Sequence, residues 1–340
     1  MRTVLLVFVL AVAGLSTPAA QAEARPTPVI YDSDLDVDDA STLAYLCGRH
    51  KQRRIDLRAV TVANNGFGTP GRARQHAISV LEQCGLPGIP VADGSNTGVH
   101  PAPAATVLDM ETVLTGALGD AGRTPPPSKV TAAQLIATTL RSTPGKVTVL
   151  VTGPLSNLVR AVPAGSPLAR KIDAVHVMGG AVHVPGNLFG EALPGFDNTQ
   201  ELNIWMDPPS ARDAFRTLPV ILTPLDVTND VPITQTYVDR IGAEGTTPSA
   251  RIVHAIMTQP IMRDGIALNY FFWWDALAAA LAFDNDGVVT DIRGTRIVVV
   301  QDGPQSGRTA PRADGDRLTV AYNANPARFE QVFLDGLNGN

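Results

Sequence analysis

The chain is poor in the residues that most often mark a zinc or redox centre. Among its 340 residues there are two cysteines, Cys47 and Cys84, and six histidines, none of them in an H-x-x-x-H spacing. Zinc favours closely spaced Cys and His ligands, so a zinc site is not expected. Lysine is nearly absent beyond Lys146, with Lys171 the exception. With a formal net charge of −5 and scattered arginines, there is no basic stripe to track a phosphate backbone. A nucleic-acid partner is therefore not expected either. No apolar run makes a comfortable membrane span, because Val4 to Leu15 is short and Pro18 follows closely.

That run has another reading. Arg2, the apolar stretch and Ala20-Gln21-Ala22 form the charged start, core and A-x-A cleavage site of an export signal. Residues 1–22 are expected to be removed, leaving a secreted or extracytoplasmic protein with no membrane segment. Each cysteine lies on an apolar helical stripe, Ala40-Leu43-Ala44-Cys47 and Ala77-Val80-Leu81-Cys84. Buried free thiols and a disulfide between neighbouring crossover helices are both compatible with that placement.

From about Glu23 onwards, strand-like runs alternate with helical patterns. Val29–Asp32 precedes a helix at 39–49, and Leu57–Ala63 precedes one at 71–84, with Ile89–Val91 following. Val147–Thr152 precedes a helix at 155–163, and Ala174–Met178 ends in Gly179-Gly180. The alternation predicts an α/β fold, a mainly parallel central sheet flanked by helices. Ligands bind such sheets at the carboxyl ends of the strands. Asp32–Asp39, Asn64-Asn65, Thr152-Gly153 and Met178-Gly179-Gly180 all fall there. Stretches 91–132 and 181–206 read as long irregular segments. Arg296–Gln301 and Arg317–Tyr322 read as two strands joined by an exposed loop, and 326–337 as a closing helix.

The densest chemistry lies at Asp32-Ser-Asp34-Leu-Asp36-Val-Asp38-Asp39, five carboxylates at the mouth of the first strand. That much negative charge is costly without a cation or polar ligand. Helix capping by Asp38 and Asp39 would account for two of the five. Oxygen-only donors suit calcium. An EF-hand loop needs Gly and Glu where counting from Asp32 gives Val37 and Leu43, so that reading fails. A haloacid dehalogenase type of phosphatase also opens with D-x-D, but Asp36 and the scarcity of later lysines argue against it.

The segment Asp32-Ser33-Asp34-Leu35-Asp36-Val37-Asp38-Asp39-Ala40 resembles the signature D-x-D-P-G-x-D-D-A of the nucleoside hydrolase family, inosine-uridine preferring type. All four signature aspartates match, whereas Leu35-Asp36 replaces Pro-Gly. Further similar motifs follow in order: Val62-Ala63-Asn64-Asn65, Val151 to Asn157, Val177 to Gly180, Glu201-Leu202-Asn203 with Asp207-Pro208, and Trp273-Trp274-Asp275-Ala276.

The resemblance implies a Rossmann-like nucleoside hydrolase fold, one catalytic domain over 23–340, and a calcium-dependent N-ribosyl hydrolase acting on a small nucleoside. It implies calcium (Ca2+) ligands at Asp34, Asp39 and Asp275 with the carbonyl of Thr152, and ribose contacts from Asp38, Asn187, Glu201 and Asn203. Asn65 would lie close to the sugar, Met178 would pack on it, and Asp34 would accept the proton of the attacking water. The family often forms dimers or tetramers, so a homo-oligomer is an open expectation.

Where the inosine-uridine type carries a histidine, this chain has Trp274, as in the purine-specific group, where an indole stacks on the base. The expected substrate is a purine nucleoside. The competing reading places Trp273 and Trp274 in the core, and at least one of them is expected there. His176 is expected in a buried strand, while His183 and His254 stay open as leaving-group acids. Two other functions compete: hydrolysis of another ribosyl compound, and a calcium-dependent extracellular binding module without turnover.

Overall fold

The structure, a computed structural model, describes residues 25–188 and 193–339. The proposed export signal lies outside the described residues. Among those described, nine strands form one sheet in the order β3-β2-β1-β4-β5-β6-β9-β7-β8. These are β1 (Thr27–Ser33), β2 (Ile55–Val62), β3 (Val91–Asp93), β4 (Val147–Val151), β5 (Ile172–Met178), β6 (Val220–Thr223), β7 (Val289–Val299), β8 (Thr309–Pro311) and β9 (Asp316–Ala324). The first six strands and β9 run parallel, while β7 is antiparallel to β9 and β8 to β7. The two strands expected near the C-terminus therefore pair directly, and their connecting loop adds a third.

The central strand shows why the sheet is covered on both faces. In β1, Val29 and Tyr31 point into one apolar cluster and Ile30 into the other, the two-residue period of a pleated strand. The first cluster joins α1 (Val37–Lys51), α2 (Arg72–Gln83), α10 (Pro248–Met257), α12 (Trp274–Phe283) and α13 (Pro326–Asn338). The second joins α4 (Ala132–Ser142), α5 (Ser156–Ala161) and α7 (Pro208–Thr217). Cys47 and Cys84 are both buried in the first cluster as free thiols, and Cys84 Sγ lies 3.5 Å from Ser249 Oγ.

The chain passes from β1 out to β2 and β3, then returns to β4 on the other side of β1. The order thus reverses between β1 and β4, and a crevice opens at their carboxyl ends. Thr152 follows β4 there, and its N–H donates to Asp32 O at 2.9 Å.

Two boundaries differ from the sequence reading. Stretch 91–132 is not irregular throughout, since it holds α3 (Ala104–Leu118). Its Met110, Val113, Leu114 and Leu118 recur at helical spacing and are buried, but flanking prolines obscured the pattern. Stretch 181–206 ends in a short helix, α6 (Leu202–Met206), capped by Glu201. The remaining helices are α8 (Leu225–Thr228), α9 (Gln235–Glu244) and α11 (Pro260–Ala267). Among the described residues no helix is long and apolar enough to cross a membrane.

Candidate active site

The turn from β1 into α1 builds the acidic wall of the crevice. Leu35 takes a left-handed φ of +57° and is fully buried, which fixes the turn despite the cost of that conformation for a branched side chain. Asp36 then becomes the N-cap of α1, with Oδ1 accepting from the N–H of Asp38 at 2.8 Å and of Asp39 at 3.3 Å. Asp39 answers through Oδ2, which accepts from Asp36 N at 3.0 Å, so the pair forms a reciprocal capping box.

Each of the other carboxylates is held by a different element. Asp34 Oδ2 accepts from the Phe67 N–H at 2.5 Å. Gly66 and Gly153 crowd the same side chain: a Cβ on Gly66 would collide with its carboxylate, and one on Gly153 would lie 2.8 Å from Oδ1. Asp39 Oδ1 accepts from Tyr31 Oη at 2.9 Å and Thr152 Oγ1 at 2.5 Å. Asp38 Oδ2 accepts from the Asp275 N–H at 2.7 Å, while its Oδ1 is buried without a partner. One oxygen each from Asp36, Asp39 and Asp275 fall within 4.8 Å of one another.

This crowding leaves a clear electrostatic signature. Burial, then the charge of Asp39, pushes the carboxyls of Asp34 and Asp275 well above the usual carboxylate range. Burial and the neighbouring Asp36 do the same to Asp38. Burial and Asp39 raise Asp36 to about 7. The donors are all oxygen, one buried oxygen is orphaned, and no basic side chain lines the cavity among the described residues. Such a set suits a hard divalent cation, whose charge would bring these groups back to their ionised form.

Opposite the aspartates lies a polar rim. Glu201 is buried, and its carboxylate accepts from the N–H groups of Gly180 at 2.9 Å, Asn203 at 2.9 Å and Ile204 at 3.2 Å. Burial still raises its pKa. Asn203 Nδ2 donates to Thr152 O at 3.0 Å and Met178 O at 3.4 Å, stitching β4, β5 and α6 together. Asn187 Oδ1 accepts from Leu202 N at 2.9 Å.

Asp34, Asp38, Thr152, Met178, Asn187, Glu201, Asn203, Trp274 and Asp275 all line one cavity. Asp39 does not line it but lies against Asp36, Tyr31 and Thr152. Asn65 lies elsewhere: it lines an adjoining polar cavity with Asn96 and His100, and its Oδ1 accepts from Ser156 Oγ at 2.9 Å.

The two tryptophans part company. Trp273 is fully buried among Tyr237, Phe329 and Phe333. Trp274 is half-buried on the cavity wall, with Phe271 edge-on to it at 6.4 Å. No histidine lines the cavity among the described residues. His176 is buried near Phe283 and held neutral, its pKa lowered to about 4 by burial. His183 is exposed beside Tyr322, and His254 packs against Gly242 of α9.

Sequence reasoning missed several wall residues. Thr106 and Met110 belong to α3, which the prolines concealed, and Phe67 follows Asn64-Asn65 without a motif of its own. Phe271 was visible only as part of an aromatic run.

The full sequence matches the profile of the family described as inosine-uridine preferring nucleoside hydrolase over residues 29–331. The chain belongs to the nucleoside hydrolase family. Among nucleoside hydrolase relatives, it is 30% identical to the pyrimidine-specific ribonucleoside hydrolase RihA of Citrobacter koseri, over 68% of this chain and 70% of that one. It is 32% identical to the RihA of Shewanella oneidensis over 64% of each chain. Its fold matches the inosine-uridine preferring nucleoside hydrolase of Bacillus anthracis with a TM-score of 0.77 at 23% identity, covering 92% of this chain and all of that one. A purine-preferring ribonucleoside hydrolase from Gardnerella vaginalis matches with a TM-score of 0.70 at 21% identity, covering 92% and 98%. As a nucleoside hydrolase, the protein is an N-ribosyl hydrolase that cleaves the N-glycosidic bond of small nucleosides. Its family is metal-dependent, and the acidic cluster is where a metal fits.

Proposed function

We propose that this enzyme is an exported, calcium-dependent hydrolase that prefers purine ribonucleosides and releases ribose and the free base. The observation that carries the base preference is the cavity wall itself. Trp274 and Phe271 line it as an edge-on aromatic pair, and no histidine lines it among the described residues to protonate a departing base. A purine offers a larger face for stacking than a pyrimidine does.

The proposed cation would be held by Asp34, Asp39, Asp275 and the Thr152 carbonyl. When bound, it would supply charge for the sugar hydroxyls and acidify water. The remaining work falls to the protein. Asp34, with its carboxylate fixed by Phe67 N–H, accepts the proton of the attacking water. Asp38 offers the unpartnered Oδ1 to a ribose hydroxyl. Asn187, Glu201 and Asn203 hold the other sugar oxygens on a rim already ordered by hydrogen bonds, so little reorganisation is needed as oxocarbenium character develops. The carboxylates around the anomeric carbon favour that positive charge.

A second reading, pyrimidine preference, has in its favour the names of the bacterial relatives, which are called pyrimidine-specific. The deciding experiment is reducing-sugar release from inosine, guanosine, adenosine, uridine and cytidine, each with calcium and with excess chelator. Calcium-dependent release fastest on the purines is the expected result. Faster release from uridine and cytidine overturns the base preference, and release unaffected by chelator overturns the metal dependence.

A further inference from the structure

Position 36 is where this chain departs from the signature it otherwise matches, with Asp in place of Gly beside Leu in place of Pro. The two changes belong together. A proline at position 35 is held near φ −65° and has no access to the +57° that Leu35 adopts, so the turn here is not one that Pro-Gly could form. In the turn that does form, Asp36 stands at the head of α1 and lines the cavity.

The two carboxylate oxygens of Asp36 have separate surroundings. Oδ1 accepts both capping N–H groups. Oδ2 accepts no hydrogen bond among the described residues. One oxygen of the side chain lies within 4.8 Å of oxygens from both Asp39 and Asp275. Capping alone does not explain a carboxylate, because Asn or Ser serves an N-cap as well as Asp does. An ionised group in this company adds repulsion that a capping amide would avoid.

A second observation says that the cluster faces a ligand rather than merely tolerating its own charge. Asp38 is 3% exposed, and its Oδ1 has no partner. Its other oxygen is pinned to the Asp275 amide, and Asp38 lines the same cavity as Asp36 and Asp275. Two residues of one cavity wall thus each keep a carboxylate oxygen that takes no hydrogen bond from the described residues.

We propose that Asp36 is an additional cation ligand, one that the family signature does not provide, and that it makes this site grip a divalent cation more tightly than the signature aspartates alone. The inference rests on the metal reading of the proposed function. Calcium accepts six to eight oxygens, so another carboxylate can be accommodated, and affinity rises with the charge of the ligand set.

The test is calcium titration of the metal-stripped protein by calorimetry, with terbium luminescence as a second probe, on wild type, Asp36→Asn and Asp39→Asn. Asparagine keeps the capping acceptor but replaces the free oxygen with an amide donor, so the helix start is preserved while the ligand is lost. Asp36→Ser, also a good cap, serves as the parallel variant, and circular dichroism confirms the fold of each. The expected result is a Kd at least about tenfold weaker in both position-36 variants, with binding lost in Asp39→Asn. If Asp39→Asn loses binding while both position-36 variants match wild type, Asp36 is only a cap and this proposal falls, leaving the proposed function intact. If wild type itself binds neither calcium nor terbium, the metal reading falls and takes the proposal with it.

Discussion

Asp38 and Asp275 are joined across the crevice, the Asp275 amide donating to Asp38 Oδ2 at 2.7 Å although the residues lie 237 positions apart. The bond ties the first turn of α1 to the first turn of α12. It leaves the second Asp38 oxygen buried and free for a ligand. Asp38→Asn keeps an acceptor for the Asp275 amide while removing one of the crowded charges. The stripped variant is therefore expected to melt no lower than stripped wild type, while ribose release falls by about 100-fold or more. Near-normal turnover would take Asp38 out of the sugar grip.

Asp34 is clamped by Phe67 N–H and by the space that Gly66 and Gly153 leave open. Because burial and Asp39 disfavour its charge, removing the carboxylate does not cost the fold an attractive ion pair. Asp34→Ala is expected to stay folded by circular dichroism and to lose about 100- to 10,000-fold in kcat. A folded Asp34→Ala protein with close to wild-type kcat would remove this residue as the proton acceptor.

The buried aspartates predict how the metal-free protein responds to pH. Asp32 bonds Thr61 and Asn157 through Oδ1, but burial still raises it from 3.8 to about 7, and Asp36 reaches about 7 as well. Between the unfolded and folded values the native state holds more protons than the unfolded state, so stability falls as pH rises. This contribution is full below about pH 4 and is lost through about pH 7. Thermal melts of chelated protein from pH 4.5 to 7.5 should show a declining Tm, with calcium restoring it most at the upper end. A Tm that climbs steadily over that range without metal contradicts the proposed origin of the shifts.

Trp274 forms part of the cavity wall, with Phe271 edge-on beside it. Stacking on a base is worth about 1–3 kcal/mol. Trp274→Ala is accordingly expected to raise KM for inosine by about 5- to 150-fold and to change uridine less. Equal losses on both nucleosides would show that the indole supports the wall without reading the base.

Cys47 and Cys84 are both buried as free thiols within the same apolar cluster. Mild oxidation of the folded protein is expected to close a disulfide, read by intact mass as the loss of both thiol hydrogens and abolished in Cys47→Ser. Two free thiols persisting after denaturation of the oxidised sample would assign the pair to packing alone.

The parallel sheet was legible because β1, β2 and β4 are short apolar runs followed by helical spacing, and β5 is one that ends in Gly179-Gly180. Neighbouring elements hid where that spacing was interrupted. Helix α3 is enclosed by prolines, and only its packing through Met110, Val113, Leu114 and Leu118 makes it a helix that reaches the cavity with Thr106 and Met110.

The sequence by itself determined which carboxylates and amides are present and that they fall at strand ends, since strand periodicity and motif order are local properties. Tertiary structure decided what those groups face. It placed Trp273 in the core and Trp274 on the wall, turned Asn65 towards a neighbouring cavity, and brought Asp36 beside Asp39 and Asp275. The reason is physical: adjacent residues at a helix start point in different directions, and a left-handed φ at Leu35 re-aims the residue after it. Only the packing of α1 and α12 on the sheet determines which of those directions meets the crevice.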